Sequence, residues 1–167
     1  MSEETSGKKT YECVHAEPKA IVIHCSDPRF QKAFHEFING ELNLPDGTYI
    51  PFAISGGVAA LSEPLKLPKE FKFIKDRIAL FLNLFSSITR IVLINHEDCR
   101  HYDAMKDVIG ELFLRHAPTM AERQQRDLLG VAKMLLNIFK PDLKLELYYA
   151  RFLDPDRKQI VFEEIKP

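Results

Sequence analysis

Cysteine is scarce in this chain: three among 167 residues, an odd number and too few for a disulfide framework. A domain of this length buries enough apolar surface to fold without such staples, so the shortage points to a reducing cytoplasm. An excess of charge of one sign is also missing. The formal net charge of -1 offers no attraction to nucleic acid or to an anionic membrane, which leaves a small molecule as the expected partner. No apolar run approaches the roughly twenty residues needed to cross a bilayer. The first ten residues are polar and charged, without a signal-like apolar segment, and no repeat or low-complexity tract is present. No Gly-x-Gly-x-x-Gly follows the first predicted strand, which excludes a Rossmann-type nucleotide module. These absences describe a soluble globular protein.

Residues 1–18 lack periodicity and read as a flexible N-terminal arm; residues 19–167 read as a single domain. Runs of β-branched and aromatic residues predict strands at 20–24, 48–54, 90–95, 143–150 and 158–164. Helices fill the intervals. Asp27 is placed as N-cap and Pro28 as first residue of a helix whose apolar stripe is Phe30, Ala33, Phe34, Phe37 and Ile38, closed by Gly40. A second helix at about 69–86 is apolar on more than one side, with Phe73, Leu80 and Leu84 away from the main stripe, and implies burial in an oligomer. Tyr102, Met105, Val108, Ile109, Leu112 and Phe113 keep helical spacing up to Pro118. Thr119 to Glu122 forms a capping-box pattern that opens a helix running to about Phe139, stopped by Pro141. The order implies an α/β fold: a mostly parallel central sheet flanked by helices, with an antiparallel edge hairpin at the Asp154-Pro155-Asp156 turn.

Two phrases stand just past the ends of predicted buried strands. Cys25-Ser26-Asp27-Pro28-Arg29 follows Ala20-Ile21-Val22-Ile23, and His96-Glu97-Asp98-Cys99 follows Ile91-Val92-Leu93-Ile94. If those strands are neighbours, Cys25, His96 and Cys99 meet in the crevice where open parallel sheets bind ligands. Two sulfurs and one imidazole are ligands suited to zinc, and three protein ligands with a fourth position open is the layout of a catalytic site.

Cys-x-Asp-x-Arg followed by His-x-x-Cys resembles the β-class carbonic anhydrases, over most of the chain from about residue 19. The resemblance implies Zn2+ held by Cys25, His96 and Cys99, with Asp27 and Arg29 as a catalytic dyad beside it. It implies reversible hydration of CO2 to bicarbonate by a zinc-bound hydroxide, in a homodimer or dimer-based tetramer. Where that family has glycine after its second cysteine, this chain has Arg100-His101-Tyr102, bulky groups beside the expected metal. The alternatives are a protein of this kind that is non-catalytic or redox-sensing, and a hydrolase of another small CO2-like substrate; Arg100 and His101 filling the cavity would favour the non-catalytic reading, and pointing outward the enzyme. Ser55-Gly56-Gly57 reads as a tight strand-to-helix turn, His24 points away from Cys25 by strand alternation, Glu97 and Asp98 read as helix caps, and Cys13 as a bystander thiol.

Overall fold

Five apolar runs pair into one sheet of order β2-β1-β3-β4-β5. The computed structural model describes residues 9–109, 119–139 and 142–166. The strands are β1 Ala20–Cys25, β2 Tyr49–Ile54, β3 Arg90–His96, β4 Lys144–Phe152 and β5 Ile160–Glu164. The helices are α1 Gln31–Gly40, α2 Ala59–Ser62, α3 Pro68–Leu84, α4 Arg100–Ile109 and α5 Met120–Ile138. β1 is parallel to both β2 and β3, β3 is parallel to β4, and β4 and β5 are antiparallel. The expected mixed α/β architecture with its edge hairpin is therefore present.

Period-two alternation splits the strands between two apolar layers. Ile21, Ile23, Ile91, Leu93 and Leu147 face one layer with Ile74, Ile78 and Leu82 of α3 and Leu128, Val131 and Leu135 of α5. Ala20, Val22, Val92, Ile94 and Ala150 face the other, where α1 supplies Phe34, Phe37 and Ile38. Because β1 and β3 are covered on both faces and paired on both edges, their sequences read as continuous apolar runs.

α5 opens on the capping box expected from Thr119: its Oγ1 accepts from Glu122 N–H at 3.2 Å while Glu122 Oε2 accepts from Thr119 N–H at 3.1 Å. α1 corrects the expectation. It starts at Gln31 rather than Pro28, and its N-cap position is Phe30 without a side-chain cap. Asp27 instead receives the Arg29 N–H at 3.0 Å, closing a turn before the helix. On α3, Phe73, Leu80 and Leu84 remain exposed, as the broad apolar pattern implied. Tyr102 and Met105 of α4 are buried; Leu112, Phe113, Pro118 and Pro141 lie outside the described residues. Among the described residues no helix is long and apolar enough to cross a membrane.

Candidate metal centre

Parallel pairing of β1 with β3, with Ile23 opposite Leu93 and His24 opposite Ile94, brings the carboxyl ends of the two strands side by side. Cys25 and His96 end those strands, and the turn after His96 returns Cys99 to the mouth of α4. All three residues are buried, and their ligand atoms lie within 4.8 Å of one another. The sulfurs of Cys25 and Cys99 are 3.8 Å apart. Two sulfurs each about 2.3 Å from a tetrahedral zinc would stand about 3.8 Å apart, so the spacing fits such an ion.

His96 carries the second sign of a metal site. Its Nδ1–H donates to the Glu97 carbonyl at 2.8 Å, which leaves the Nε2 lone pair for another partner. Nε2 is buried and, among the described residues, has no hydrogen bond of ordinary geometry. A buried imidazole nitrogen costs free energy when left unpaired, and a cation between it and the sulfurs removes that cost. The Cys25 thiol is drawn well below its ordinary range by the hydrogen bond with Cys99, against burial and with help from His96. The Cys99 thiol is pushed up by the same bond and by burial, with the N–H groups of Tyr102 and His101 opposing. A second thiolate in this space therefore calls for a positive neighbour.

Asp27 and Arg29 sit on the rim of the same cleft. Asp27 Oδ2 accepts from Arg29 Nη2 at 2.7 Å, and Oδ1 accepts from Nε at 3.1 Å, a two-pronged pair. These bonds hold the Asp27 carboxyl below the usual carboxylate range, and burial only partly offsets them. The cleft has a volume of about 330 Å³ and is walled by Cys25, Asp27, Arg29, Cys99, Arg100 and His101, among others. Arg100 and His101 are thus part of its lining. The His101 Nδ1 lies 3.0 Å from Ser55 Oγ, and a side chain on Gly56 would strike the His101 ring, 2.3 Å from Cδ2.

The two glycines explain why the strand-to-helix turn reads as it does. Gly56 and Gly57 have φ of 78° and 57°, and a Cβ on Gly57 would sit 2.9 Å from Asn95 Oδ1. The turn also contributes to the site, since Gly56 N–H donates to Cys25 Sγ at 3.4 Å. His24 turns to the opposite face, where its ring lies 4.7 Å from that of Phe34. Cys13 is exposed and unpaired.

Three roles escaped the sequence reading. Gln31 donates through Nε2 to the carbonyls of Cys25 and Asp27, at 2.9 and 2.7 Å, and so braces the first phrase. Its place six residues beyond Cys25 on a helix carries no motif. Glu97 and Asp98 do not cap α4 as expected: Glu97 Oε2 accepts from Phe152 N–H at 2.9 Å, and Asp98 Oδ2 accepts from Arg29 at 2.8 Å. Long-range partners won: β4 offers the Phe152 N–H and the turn before α1 the Arg29 guanidinium, while Cys99 takes the amides of the helix start.

No protein-family profile matches the sequence, and no curated protein matches it by sequence. Structural similarity is found instead. The chain is similar to a carbonic anhydrase from Streptococcus mutans, with a TM-score of 0.59 and 14% identity over 93% of this chain and 88% of that one. It is similar also to β-carbonic anhydrase isoform I of the protozoan Trichomonas vaginalis, with a TM-score of 0.59 and 10% identity over 92% and 87%. At such identities the likeness speaks for the backbone, and by its backbone this chain has the fold of the β-carbonic anhydrases.

Proposed function

We propose that the protein is a zinc enzyme of the carbonic anhydrase type, a lyase that interconverts CO2 and bicarbonate, with Cys25, His96 and Cys99 as metal ligands. The observation that carries this reading is the buried His96 Nε2 beside two sulfurs 3.8 Å apart, whose cysteines line a cleft that the paired Asp27 and Arg29 also line. Zinc supplies a Lewis acid that brings the pKa of water toward neutrality.

The protein groups do the rest. Asp27, kept ionised by Arg29, lines the cleft, where its carboxylate would hold a water hydrogen and so aim an oxygen lone pair at the CO2 carbon. Arg29 keeps that carboxylate from taking up a proton near neutral pH. The Gly56 N–H and the amides of His101 and Tyr102 stabilise charge on the two sulfurs. The working unit is a homodimer or dimer-based tetramer, supported by the exposed Phe73, Leu80 and Leu84 on α3. Its compartment is the cytoplasm, in keeping with free thiols at the site.

The test is stopped-flow CO2 hydration by zinc-loaded protein with Cys25→Ser as control. Catalysis above buffer, lost in the control, is the expected result. A second reading, in which the site holds zinc without hydrating CO2 or accepts a different small substrate, draws on Arg100 and His101 in the cleft wall. Full zinc loading with hydration equal to buffer from pH 7 to 9 would favour it.

A further inference from the structure

We propose that Asp98 and Arg157 are positioning residues for Arg29, so that the edge hairpin β4–β5 sets the geometry of the Asp27–Arg29 pair. The inference rests on the dyad assigned above and adds a partner that no motif contains.

Arg29 stands only two residues from Asp27, and their mutual bonds set the distance between them but not where the pair lies relative to the ligands of the second phrase. That placement comes from Asp98. Its Oδ2 accepts from Arg29 Nη1 at 2.8 Å, and its backbone carbonyl accepts from Arg29 Nη2 at 2.8 Å. Asp98 is the neighbour of Cys99 and has a φ of 56°, the left-handed turn that allows its carboxylate and its carbonyl to engage one guanidinium. Arg29 is thereby fastened to the loop between His96 and Cys99, across from the turn after β1 that carries Asp27.

Arg157 completes the bracket from a third direction. Its Nη1 donates to the same Asp98 Oδ2 at 2.7 Å, and its guanidinium lies 5.4 Å from the centre of the Phe152 ring. The turn that presents it is tightly tied. Asp154 accepts from the N–H groups of Arg157, Lys158 and Gln159, through its carbonyl and both carboxylate oxygens, at 3.1, 3.0 and 2.8 Å. The loop itself is joined to β4, because Glu97 N–H donates to the Ala150 carbonyl at 2.8 Å and the Glu97 carboxylate receives the Phe152 N–H. One carboxylate oxygen thus lies between two guanidiniums. Removing it leaves two like charges facing each other with nothing between them, and Arg29 keeps only the Asp98 carbonyl as its anchor on that loop.

The positions of the groups predict a specific pattern. In zinc-loaded Asp98→Asn and Arg157→Ala proteins, zinc content stays stoichiometric while the side-chain N–H resonances of Arg29, assigned with Arg29→Lys, broaden and exchange faster with water. The kcat of CO2 hydration falls about tenfold with KM held, as for loss of an outer partner of a site. Arg157→Lys restores most of both, and adding Arg157→Ala to Asp98→Asn causes little further loss. Unchanged Arg29 resonances in either variant would overturn the proposal, as would equal losses from Arg157→Ala with and without Asp98. If Asp98→Asn fails to fold, Arg157→Ala decides, since that side chain is 59% exposed. Absence of hydration in the wild type would defeat the functional reading alone, because the resonances report positioning without turnover.

Discussion

At the amino end of β3, Arg90 donates from Nε and Nη2 to the Glu146 carboxylate at 2.8 and 2.9 Å and from both terminal nitrogens toward the Leu42 carbonyl, while Lys144 adds an ion pair to Glu146 at 3.0 Å. At the carboxyl end of the same strand, His96 keeps a buried nitrogen without a hydrogen bond of ordinary geometry among the described residues and faces two thiols. Both ends place polar groups beside the same apolar core. One end answers every group with another protein group, and the other gathers a donor set that could hold a metal ion. The contrast sets a fully paired polar cluster at one end of the strand and a group that could hold a metal at the other, where an open α/β sheet leaves a crevice beyond the carboxyl ends of its strands.

The sharpest way to break this contrast is to remove a sulfur. Cys25→Ser and Cys99→Ser are expected to lose zinc and all CO2 hydration, with a fall in melting temperature as the bound ion ceases to favour the folded state. Metal analysis and calorimetry read both effects. Retention of stoichiometric zinc in either variant would remove these residues from the ligand set.

Next in size is the dyad. Asp27→Ala and Arg29→Ala are expected to keep zinc and to lose hydration by about 100-fold, the scale of a positioned acid–base group. Zinc content measured beside stopped-flow rates separates this from ligand loss. For pH, the sign follows from Asp27. Its pKa is depressed by Arg29, so its charged form is complete above the ordinary carboxylate range and is lost only as pH falls below it. Asp27 therefore does not titrate between pH 7 and 9. Two thiolate ligands would offset the charge of a bound zinc and leave its water less acidic than at a three-histidine site, so hydration is expected to be low near neutrality and to rise above about pH 8. A profile flat from pH 6 to 9 would contradict that.

The opposite end gives a smaller and different effect. Glu146→Ala is expected to cost about 2 kcal/mol, because Arg90 is left partly buried without its carboxylate, while zinc and hydration are unchanged. Burial pushes the Glu146 carboxyl up, but hydrogen bonds from Arg90 and Lys144 outweigh it and hold the net value below the ordinary range. Its contribution is thus present at neutral pH and disappears as pH falls through that lowered value, so the variant loses less stability on acidification than the parent. Denaturant melts at two pH values check this. The smallest change lies away from both ends: Thr119→Ala removes one half of the capping box on α5 and is expected to cost about 1 kcal/mol, measured by the same melts, with no effect on zinc.

The two phrases singled out Cys25, His96 and Cys99, which the structure groups together, because each follows an apolar run that reads as a buried strand and ligand chemistry is a property of residue type. The capping box at Thr119 and the broad apolar face of α3 were legible for the same local reason. Asp27 as a helix cap was not, since a carboxylate with an arginine two residues away has a stronger partner than a helix amide. Glu97 and Asp98 failed similarly.

The sequence by itself determined which side chains could bind a soft cation, where the strands lie, and that the sheet is mainly parallel, because these follow from residue chemistry and from periodicities of a few residues. Only the tertiary structure decided that β1 and β3 are neighbours, that His96 turns Nε2 toward the sulfurs, that Gly56 offers its N–H to Cys25, and that Arg157 reaches Asp98 across 59 positions of chain. Those facts depend on strand order and on contacts between segments far apart in sequence, and no local pattern of residues encodes such a distance.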